Sequence, residues 1–336
     1  MYKRKEAHVM KIRVPEYFVD FKCIADKCLD SCCIGWEIDI DEVTGAKYKA
    51  LDTPLGAEIR EKTVHGYFPL LKNGRCAFLD DAGLCRIISA VGDGYLCDIC
   101  REHPRYYGVG DGIIDGGLGL GCEEAARMIL ALKEEPKFIE IDRDIPYSDE
   151  DEFADVSEYF RNILSGHIFT DRIDEVAGVF TAYASLADEV AFDVSSTGKR
   201  APIDKLTIAP IKIENLEGFY ADFLAILSEC ESLTDEWGDL VESARGVDAR
   251  WLIESLDGAR GLLYYFTHRY VREGVEDMSL GQRILFALLS TLSVCALAKV
   301  ISSEEKYARA AVLYSKNIEY STDNVEMVLD RLSEFL

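Results

Sequence analysis

The sequence predicts a mainly α protein, in which a loop-rich, cysteine-dense N-terminal metal module with a few short strands packs on a C-terminal α-helical bundle. Two observations predict this fold class. Nine of the 11 cysteines lie in the first 122 residues, among short stretches of mixed periodicity. In the second half, apolar residues recur at helical spacing. We predict a metal module over 1–135, an acidic linker over 136–155 and a helical domain over 156–336.

The composition is that of a folded chain with a strong negative charge. Of the 336 residues, 49% are hydrophobic, which is enough for a sizeable core. The net charge of −24 disfavours a general nucleic-acid binder and favours a cationic partner. Residues 1–122 carry 16 basic and 19 acidic residues, a balance of −3, so the other 214 residues carry −21. The two halves are therefore built differently.

The interpretation of the clustered cysteines depends on the cellular compartment in which the protein is expected. The first 20 residues are basic at the start but lack the continuous apolar segment of a secretory signal, so we expect a cytoplasmic protein. The most apolar stretch, 284–301, contains serines, a threonine and Lys299, and we interpret it as a buried helix rather than a membrane contact. In a reducing cytoplasm, clustered thiols indicate metal ligands or redox groups.

The N-terminal region predicts short elements. Alternating residues predict strands around 12–19 and 36–41, followed by a helix over 41–51. The glycine-rich run 108–121 predicts hairpin turns that flank a short strand at Ile113 and Ile114. A helix is expected directly after Cys122, with Glu123 and Glu124 in its first turn. An extended piece over 137–142 then leads into the acidic linker.

The C-terminal half predicts a bundle of about six or seven helices. The clearest pattern is an apolar stripe from Leu252 to Tyr270, which predicts one helix over about 248–271. Weaker patterns cover about 156–169, 172–190, 215–232, 303–319 and 322–336. The nearly all-apolar segment 281–301 is expected to be the central helix.

The nine N-terminal cysteines are the strongest functional signal. Thiolates are soft donors that hold zinc or iron–sulfur clusters, and close spacing lets several reach one centre. Nine donors allow one cluster plus one zinc, two four-thiolate sites, or one site plus redox-active thiols. Adjacent side chains usually diverge, so the two thiols of the vicinal pair serve different centres or one of them is spare. The predicted metal ligands are Cys23, Cys28, Cys32, Cys33, Cys76, Cys85, Cys97, Cys100 and Cys122.

The two later cysteines are interpreted differently. Cys230 and Cys295 stand alone in the helical half, and an isolated cysteine is most often a small buried apolar residue. We therefore expect both in the core.

The spacing of these cysteines resembles that of a known family. The N-terminal run is similar to the opening of the bacterial flagellin lysine-N-methylase family, whose cysteine-rich module is described as a zinc- or iron-chelating domain. Later segments follow in the same order as in that family, including an aromatic stretch in the helical half. The similar segments are 15–41 (PEYFVDFKCIADKCLDSCCIGWEIDID), 76–87 (CAFLDDAGLCRI), 96–105 (LCDICREHPR), 121–127 (GCEEAAR) and 264–270 (YYFTHRY).

The resemblance implies S-adenosylmethionine-dependent methyl transfer to lysine side chains of flagellin, with an iron–sulfur cluster on the cysteines. We expect a 4Fe-4S cluster, with zinc as the alternative metal. The sequence departs from the family at His103, where an aromatic residue usually precedes Pro104. The glycine run does not contain the G-x-G-x-x-G nucleotide pattern in register. No C-x3-C-x2-C triplet typical of radical chemistry occurs, which favours a polar two-electron transfer.

The sequence does not single out a catalytic or donor-binding residue. Tyr264, Tyr265 and Tyr270 could surround a reacting cation, but aromatic residues at helical spacing more often pack in a core. We interpret His103 as a surface or packing residue, with a tenth metal ligand or a proton-transfer group as the alternative. The competing function is a non-catalytic metal-binding or redox-sensing module, or a metallochaperone, whose helical half binds a partner protein.

Overall fold

The computed structural model describes residues 9–110, 113–144, 154–197, 213–272, 274 and 278–336. Within these ranges the protein is mainly α with a few short strands, which confirms the predicted fold class. The α-helices are α1 (Tyr17–Asp20), α2 (Glu42–Ala50), α3 (Pro54–Lys62), α4 (Arg86–Val91), α5 (Asp98–Glu102), α6 (Glu123–Leu130), α7 (Ala154–Thr170), α8 (Ile173–Thr197), α9 (Ile213–Glu229), α10 (Trp237–Ala244), α11 (Ala249–Ser255), α12 (Arg260–Tyr270), α13 (Leu280–Val300), α14 (Lys306–Tyr314) and α15 (Thr322–Leu332).

The strands form one four-stranded sheet and one small hairpin. In the larger sheet the order is β4-β5-β1-β6, so the first strand lies between two strands that follow it by about a hundred residues or more. It runs parallel to β5 and antiparallel to β6, while β2 pairs with β3. The strands are β1 (Val9–Pro15), β2 (Ile38–Asp39), β3 (Tyr67–Phe68), β4 (Arg105–Gly110), β5 (Ile113–Leu118) and β6 (Phe138–Asp144).

Local sequence signals place two of the N-terminal elements correctly. Helix α2 starts directly after Asp41, whose side chain accepts a hydrogen bond from the backbone N–H of Thr44 at 2.9 Å. This is the usual cap of a helix start, and it satisfies one of the free N–H groups of the first turn. Helix α6 begins at Glu123, directly after Cys122, as the sequence predicts.

The glycine-rich run differs from its prediction. It forms the paired strands β4 and β5 rather than turns around a short strand, and residues 111 and 112 lie outside the described residues. A Cβ at Gly117 would overlap the ring of Tyr106, and one at Gly116 would lie 3.1 Å from the ring of Tyr107. These glycines therefore make room for tyrosine rings on the neighbouring strand, which local sequence patterns do not reveal.

The helical half contains nine α-helices within its described residues, more than the predicted six or seven. The predicted helix over 248–271 is broken into α11, a 3-10 turn (Leu256–Ala259) and α12. A Cβ at Gly261 would overlap the backbone oxygen of Ile129 in α6, so the start of α12 is fixed by this close crossing. Helix α10 was not predicted, because its eight residues give too short a periodic signal.

Helix α13 is the buried centre of the bundle, as predicted. It is 21 residues long, and its hydropathy of 1.8 is high enough for a membrane span by length and composition, yet 83% of that window is buried inside the protein. Two of its hydroxyl groups have partners within the fold: Thr291 donates to the carbonyl of Ala287 at 2.8 Å, and Ser290 lies 2.7 Å from the hydroxyl of Tyr314, whereas the buried hydroxyl of Ser293 has no hydrogen-bond partner. These contacts explain how the apolar segment tolerates hydroxyls.

The predicted domain boundaries are crossed by several elements. Within the predicted linker, 138–144 forms β6 along β1, and 145–153 lies outside the described residues. Ala126 and Ile129 of α6 belong to the large hydrophobic core of the helical half. A separate small core lies among the cysteines. The division at 135 and 155 stays a prediction.

Candidate metal centre

The nine N-terminal cysteines are all free thiols, and the fold gathers them into two neighbouring sets. Five pack in the small hydrophobic core of the N-terminal region. The other four lie outside this core, and one of them, Cys122, directly precedes α6. We call the first set, Cys33, Cys76, Cys85, Cys97 and Cys100, the inner thiols, and the second set, Cys23, Cys28, Cys32 and Cys122, the outer thiols.

The inner thiols are positioned by turns and short bridges rather than by long elements. The backbone N–H of Cys76 donates to the carbonyl of Cys33 at 2.8 Å, which joins two distant parts of the chain. Cys97 and Cys100 lie one turn apart at the start of α5. The hydroxyl of Tyr48 lies 3.5 Å from Sγ of Cys97 and donates to the carbonyl of Tyr95 at 2.6 Å. Cys76 and Cys97 are buried.

The outer thiols are organised by one buried carboxylate. Glu123 is 2% exposed, and its Oε2 accepts hydrogen bonds from the backbone N–H groups of Leu29 at 2.6 Å and Asp30 at 3.3 Å. The same oxygen lies 3.4 Å from Sγ of Cys28, while Oε1 binds the guanidinium of Arg127. Because Glu123 directly follows Cys122, these bonds hold the loop that carries Cys28 beside Cys122.

Burial and neighbouring thiols disfavour the thiolate form of most of these cysteines in the absence of a cation, and Cys33 is an exception. Burial raises the pKa of the Cys100 thiol, and the charges of the other inner thiols raise it further. Burial likewise raises the pKa of Cys28 to about 12, and a backbone hydrogen bond at Asp30 lowers it only in part. A hydrogen bond from Cys32 lowers the pKa of Cys33 to about 7. A bound metal ion reverses this balance because it stabilises the charged form of several thiols together.

The donor chemistry fits a thiolate-bound metal. Both sets consist of free thiols, the ligands that zinc and iron–sulfur clusters share. Within the described residues, no three His, Cys, Asp or Glu side chains already meet at a distance that could hold an ion. The described residues thus bring seven of the nine donors to one cleft without forming a coordination shell.

A cleft of about 390 Å³ lies against both sets of thiols. Seven of the nine cysteines line it, and only Cys76 and Cys97 do not. All of its lining residues fall between Phe21 and Cys122, so the N-terminal region alone forms it. The other lining groups that carry an aromatic ring or a charge are Phe21, Asp30, Trp36, Arg101, His103 and Arg105.

Trp36 and His103 form an aromatic wall of this cleft. The indole N–H of Trp36 donates to the carbonyl of Cys32, and its ring lies 5.9 Å from that of His103 and 5.8 Å from that of Tyr320. Burial lowers the pKa of His103 to about 4, so its imidazole is neutral at physiological pH. Its Nε2 is buried with no hydrogen-bond partner. His103 therefore packs on Trp36, as expected, and also offers a free ring nitrogen beside the thiols.

The helical half reaches the outer thiols through a π-helical segment. This segment, Ser315–Glu319, directly follows α14. Its Lys316 donates to Oδ1 of Asp30 at 2.6 Å, and both side chains are largely buried. Single π turns within helices occur often at functional sites. Here the segment ties the helical half to the loop between Cys28 and Cys32.

The three tyrosines of α12 are buried, as the packing interpretation expects. Tyr265 and Tyr270 donate to Oε1 of Glu319 at 2.7 Å and 2.9 Å. The hydroxyl of Tyr264 has no hydrogen-bond partner and borders a cavity of about 70 Å³, which is small enough for ordered water. Cys230 and Cys295 are buried in the helical core, which confirms their interpretation as apolar residues.

Sequence reasoning missed a buried ionic network next to this small cavity. Asp115 on β5 is 5% exposed and accepts two hydrogen bonds from Arg13 on β1, at 2.6 Å and 2.9 Å. It also accepts one from Arg161 of α7 at 2.8 Å, and the buried His268 lies close by. Arg13 and Asp115 are 102 positions apart, so no local pattern could have paired them.

Replacement of Glu123 tests its role in holding the outer thiols. In Glu123→Ala, two backbone N–H groups lose their acceptor, so we expect a loss of about 2–3 kcal/mol in the free energy of unfolding. We also expect Cys28 to react faster with a thiol reagent, measured by labelling and mass spectrometry. Glu124→Ala is the matched control, since Glu124 binds Arg127 without touching the cysteine loop. Equal labelling rates in the two variants would contradict this role.

Fold and site together define a class of protein: a mainly α chain that carries a nine-thiol candidate metal centre beside a cleft. The chain is 30% identical over 129 residues to the flagellar biosynthetic protein FliU of Salmonella muenchen, an alignment that covers 34% of this chain and 75% of that protein. It therefore belongs to the flagellin lysine-N-methylase family, as the sequence predicts.

Two enzymes of the same family extend the comparison. The lysine-N-methylases of Salmonella choleraesuis and Salmonella typhimurium are each 29% identical over 126 residues, which is 34% of this chain. The aligned region spans 31% of each enzyme, so the chain covers about a third of their length. No family model matches the chain, and no solved structure matches it.

Proposed function

We propose that the protein is a protein-lysine N-methyltransferase that uses S-adenosylmethionine in the cytoplasm. Its proposed substrates are lysine side chains of flagellin, and its N-terminal cysteines hold an iron–sulfur cluster. The observation that carries this proposal is the similarity to two proteins named lysine-N-methylase. The gathered thiols support the cluster, because they supply the soft donors that it requires.

Methyl transfer to lysine sets requirements that the chain has to meet. A lysine amine has a pKa of about 10.4, so it must lose a proton before its nitrogen can attack. The neutral nitrogen then attacks the methyl carbon of the sulfonium, the N–C bond forms as the S–C bond breaks, and S-adenosylhomocysteine leaves. The methylated ammonium gives up its extra proton to solvent or to an acceptor on the chain.

The thiol-lined cleft is the place we propose for this reaction. The face of Trp36 suits a cationic sulfonium or ammonium group, because the ring quadrupole attracts positive charge. The neutral His103 can accept a hydrogen bond from the amine, although its lowered pKa makes it a weak base. When bound, an iron–sulfur cluster supplies an anchor for the cysteine loops that line the cleft. The overall charge of −24 favours the approach of a lysine-bearing segment to the protein, and most of this charge lies in the helical half rather than in the region that forms the cleft.

A methylation assay tests the proposed function. Protein purified without oxygen is mixed with flagellin and S-adenosylmethionine, and flagellin peptides are analysed by mass spectrometry for methyl-lysine. We expect methylation that depends on both the protein and the methyl donor. In Trp36→Ala we expect at least about a tenfold loss of kcat/KM. Trp251→Ala is the matched control, because Trp251 lies on α11 under Lys299, away from the cleft.

A donor-binding measurement decides between this function and the competing one. A ligand that binds only the folded state raises the thermal midpoint, so S-adenosylmethionine should stabilise the metal-loaded protein. If the donor neither stabilises it nor leads to methyl-lysine, the proposal is wrong. The chain would then be better described as a non-catalytic metal-binding or redox-sensing module.

A further inference from the structure

We propose that Arg105 is the anion-binding residue of the thiol-lined cleft and that it holds the carboxylate of the methyl donor. This inference rests on the proposed function, because it takes S-adenosylmethionine as the ligand of the cleft. It adds which residue recognises the amino-acid end of that ligand. S-adenosylmethionine carries one carboxylate besides its ammonium and sulfonium groups, so Arg105 binds one end of the donor while Trp36 faces a cationic part of it.

Arg105 differs from the other charged residues of the cleft because it has no counter-ion. It is partly buried and lines the cleft at the start of β4. Its Nε is buried and donates no hydrogen bond, and none of the described residues forms an ion pair with its guanidinium. A charge that is withdrawn from water without a partner is costly, so such a group is normally paired. A bound anion would supply the missing partner.

The other two charged side chains that line the cleft are already paired within the fold. Arg101 binds the carboxylate of Asp98, and Asp30 accepts a hydrogen bond from Lys316 at 2.6 Å. Both pairs lie between residues of the chain and leave no net charge for a ligand. Arg105 is therefore the charged side chain of the cleft that is available to a bound molecule.

The acidic residue that acts on Arg105 is itself bound elsewhere. Oε2 of Glu102 accepts hydrogen bonds from Arg143 at 2.6 Å and from the hydroxyl of Tyr107 at 2.8 Å. Burial lowers the pKa of Arg105, and the positive charge of Arg143 lowers it further. Two guanidinium groups thus lie near one carboxylate, and a second anion beside Arg105 would offset the repulsion between them.

Two phenylalanine rings support the Arg105 guanidinium. Its central carbon lies 5.4 Å from the ring centroid of Phe18 and 5.3 Å from that of Phe21. Phe18 is only 2% exposed, and Phe21 itself lines the cleft. A guanidinium that is held against rings loses little freedom on binding, and its planar fork matches the two oxygens of a carboxylate. The support therefore favours a carboxylate as the ligand of Arg105.

The rest of the cleft suits the remaining parts of the donor. Its volume of about 390 Å³ is within the range of small-molecule sites, which are mostly apolar and carry a few polar groups. The ring of Trp36 can receive a cationic group. The aliphatic residues that can pack against the uncharged parts of the ligand are Ile24, Leu84, Ile88 and Leu96.

The competing partner for Arg105 is the negative charge of metal-bound thiolates. Cys122 lines the same cleft and acts on the charge of Arg105. In that arrangement Arg105 would stabilise the metal centre rather than bind a ligand. The experiment therefore measures the metal content of each protein together with its affinity for the donor.

Binding of two donors that differ by one carboxylate tests the role of Arg105. Protein purified without oxygen is titrated with S-adenosylmethionine and with decarboxylated S-adenosylmethionine by isothermal titration calorimetry. We expect the native protein to bind the carboxylated donor about 10–100-fold more tightly, as one charge-assisted hydrogen-bonded pair contributes this much. In Arg105→Gln the two affinities should become equal. Arg101→Gln is the matched control, because it removes a cleft charge that Asp98 already neutralises, and it should keep the preference.

Two results would overturn the proposal. The first is equal affinity of the native protein for the two donors, which does not depend on the folding of any variant. The second is a loss of metal from folded Arg105→Gln, since this would assign Arg105 to the metal centre. Iron, sulfide and zinc are therefore measured per folded chain in all three proteins.

Chemical labelling separates this inference from the proposed function. Phenylglyoxal modifies arginine side chains, and mass spectrometry gives the rate of modification at Arg105. We expect acetate to slow this modification relative to chloride at the same ionic strength. If neither donor binds but acetate protects Arg105, the carboxylate site stands and the proposed function is wrong. If both donors bind equally and acetate does not protect Arg105, the proposed function stands and this inference is wrong.

Discussion

Replacing Asp115 by Asn is expected to destabilise the protein by about 3–5 kcal/mol. Asp115 accepts hydrogen bonds from two arginines inside the fold, and Arg161 is only 5% exposed. An asparagine has no charge to offset the two guanidinium groups, so Arg161 would be left buried without its counter-ion. The measurement is thermal or denaturant unfolding, with a fall in Tm on the order of 10 °C.

Asp142→Asn is the matched control for this change. Asp142 is an exposed carboxylate on β6, the strand on the other side of β1, so its replacement removes a charge without opening the buried network. We expect it to change the free energy of unfolding by less than about 0.5 kcal/mol. Similar losses in the free energy of unfolding of the two variants would show that the buried network stabilises the protein no more than an exposed carboxylate does.

The same carboxylate predicts how stability depends on pH. Burial by itself would raise the pKa of Asp115, but its hydrogen bond from Arg13 and the charge of Arg161 outweigh this effect and hold the pKa below its ordinary value. The stabilisation is therefore present above the pKa of the unfolded chain, about 3.9, and is lost as the pH falls below it. Asp115→Asn should flatten the loss of stability below about pH 5.

Replacing Glu319 by Ala is expected to destabilise the protein by about 2–4 kcal/mol. The Glu319 side chain is fully buried, accepts hydrogen bonds from Tyr265 and Tyr270, and lies 3.2 Å from Nη1 of Arg269. Without it, two phenol groups and a guanidinium lose a shared partner. The loss is smaller than for a fully buried charge, because Arg269 is 22% exposed and stacks on tyrosine rings.

The control for this change is Glu326→Ala, on an exposed position of α15. Circular dichroism at fixed temperature in increasing urea gives the free energy of unfolding of both variants. Because Glu319 ends the π segment that carries Lys316, we also expect Glu319→Ala to loosen the contact between Lys316 and Asp30. Unchanged urea midpoints in Glu319→Ala would contradict the structural account of the α12 tyrosines.

The candidate site could be predicted in part from the sequence. The nine cysteines stand out because thiols are rare and their spacing is local, but the spacing did not show which of them lie together. Glu123 was recognised only as an acidic residue in the first turn of a helix. Its bonds to Leu29 and Asp30 join positions more than 90 residues apart, so spacing gave no sign of them.

The fold, like the candidate site, could be predicted from the sequence only in part. Helices α7, α8, α9 and α15 follow from apolar periodicity, because a helix buries one face and the period repeats within each segment, whereas α13 follows from its nearly all-apolar composition. Local sequence patterns did not predict the strands in the glycine-rich run. Glycine is needed at 116 and 117 because a side chain there would crowd a tyrosine ring on the neighbouring strand. The close approach of Gly261 in α12 to the backbone of Ile129 likewise joins parts of the chain that are far apart in sequence.

The sequence by itself determined the mainly α class, the concentration of nine thiols in the first 122 residues and the similarity to flagellin lysine-N-methylases. These properties depend on composition and on spacing within short segments. Only the tertiary structure decided that the thiols lie in two sets beside one cleft, that Glu123 supports the outer set, and that Asp115 joins β1, β5 and α7. Each of these depends on contacts between distant residues, and such contacts are formed by packing rather than by local pattern.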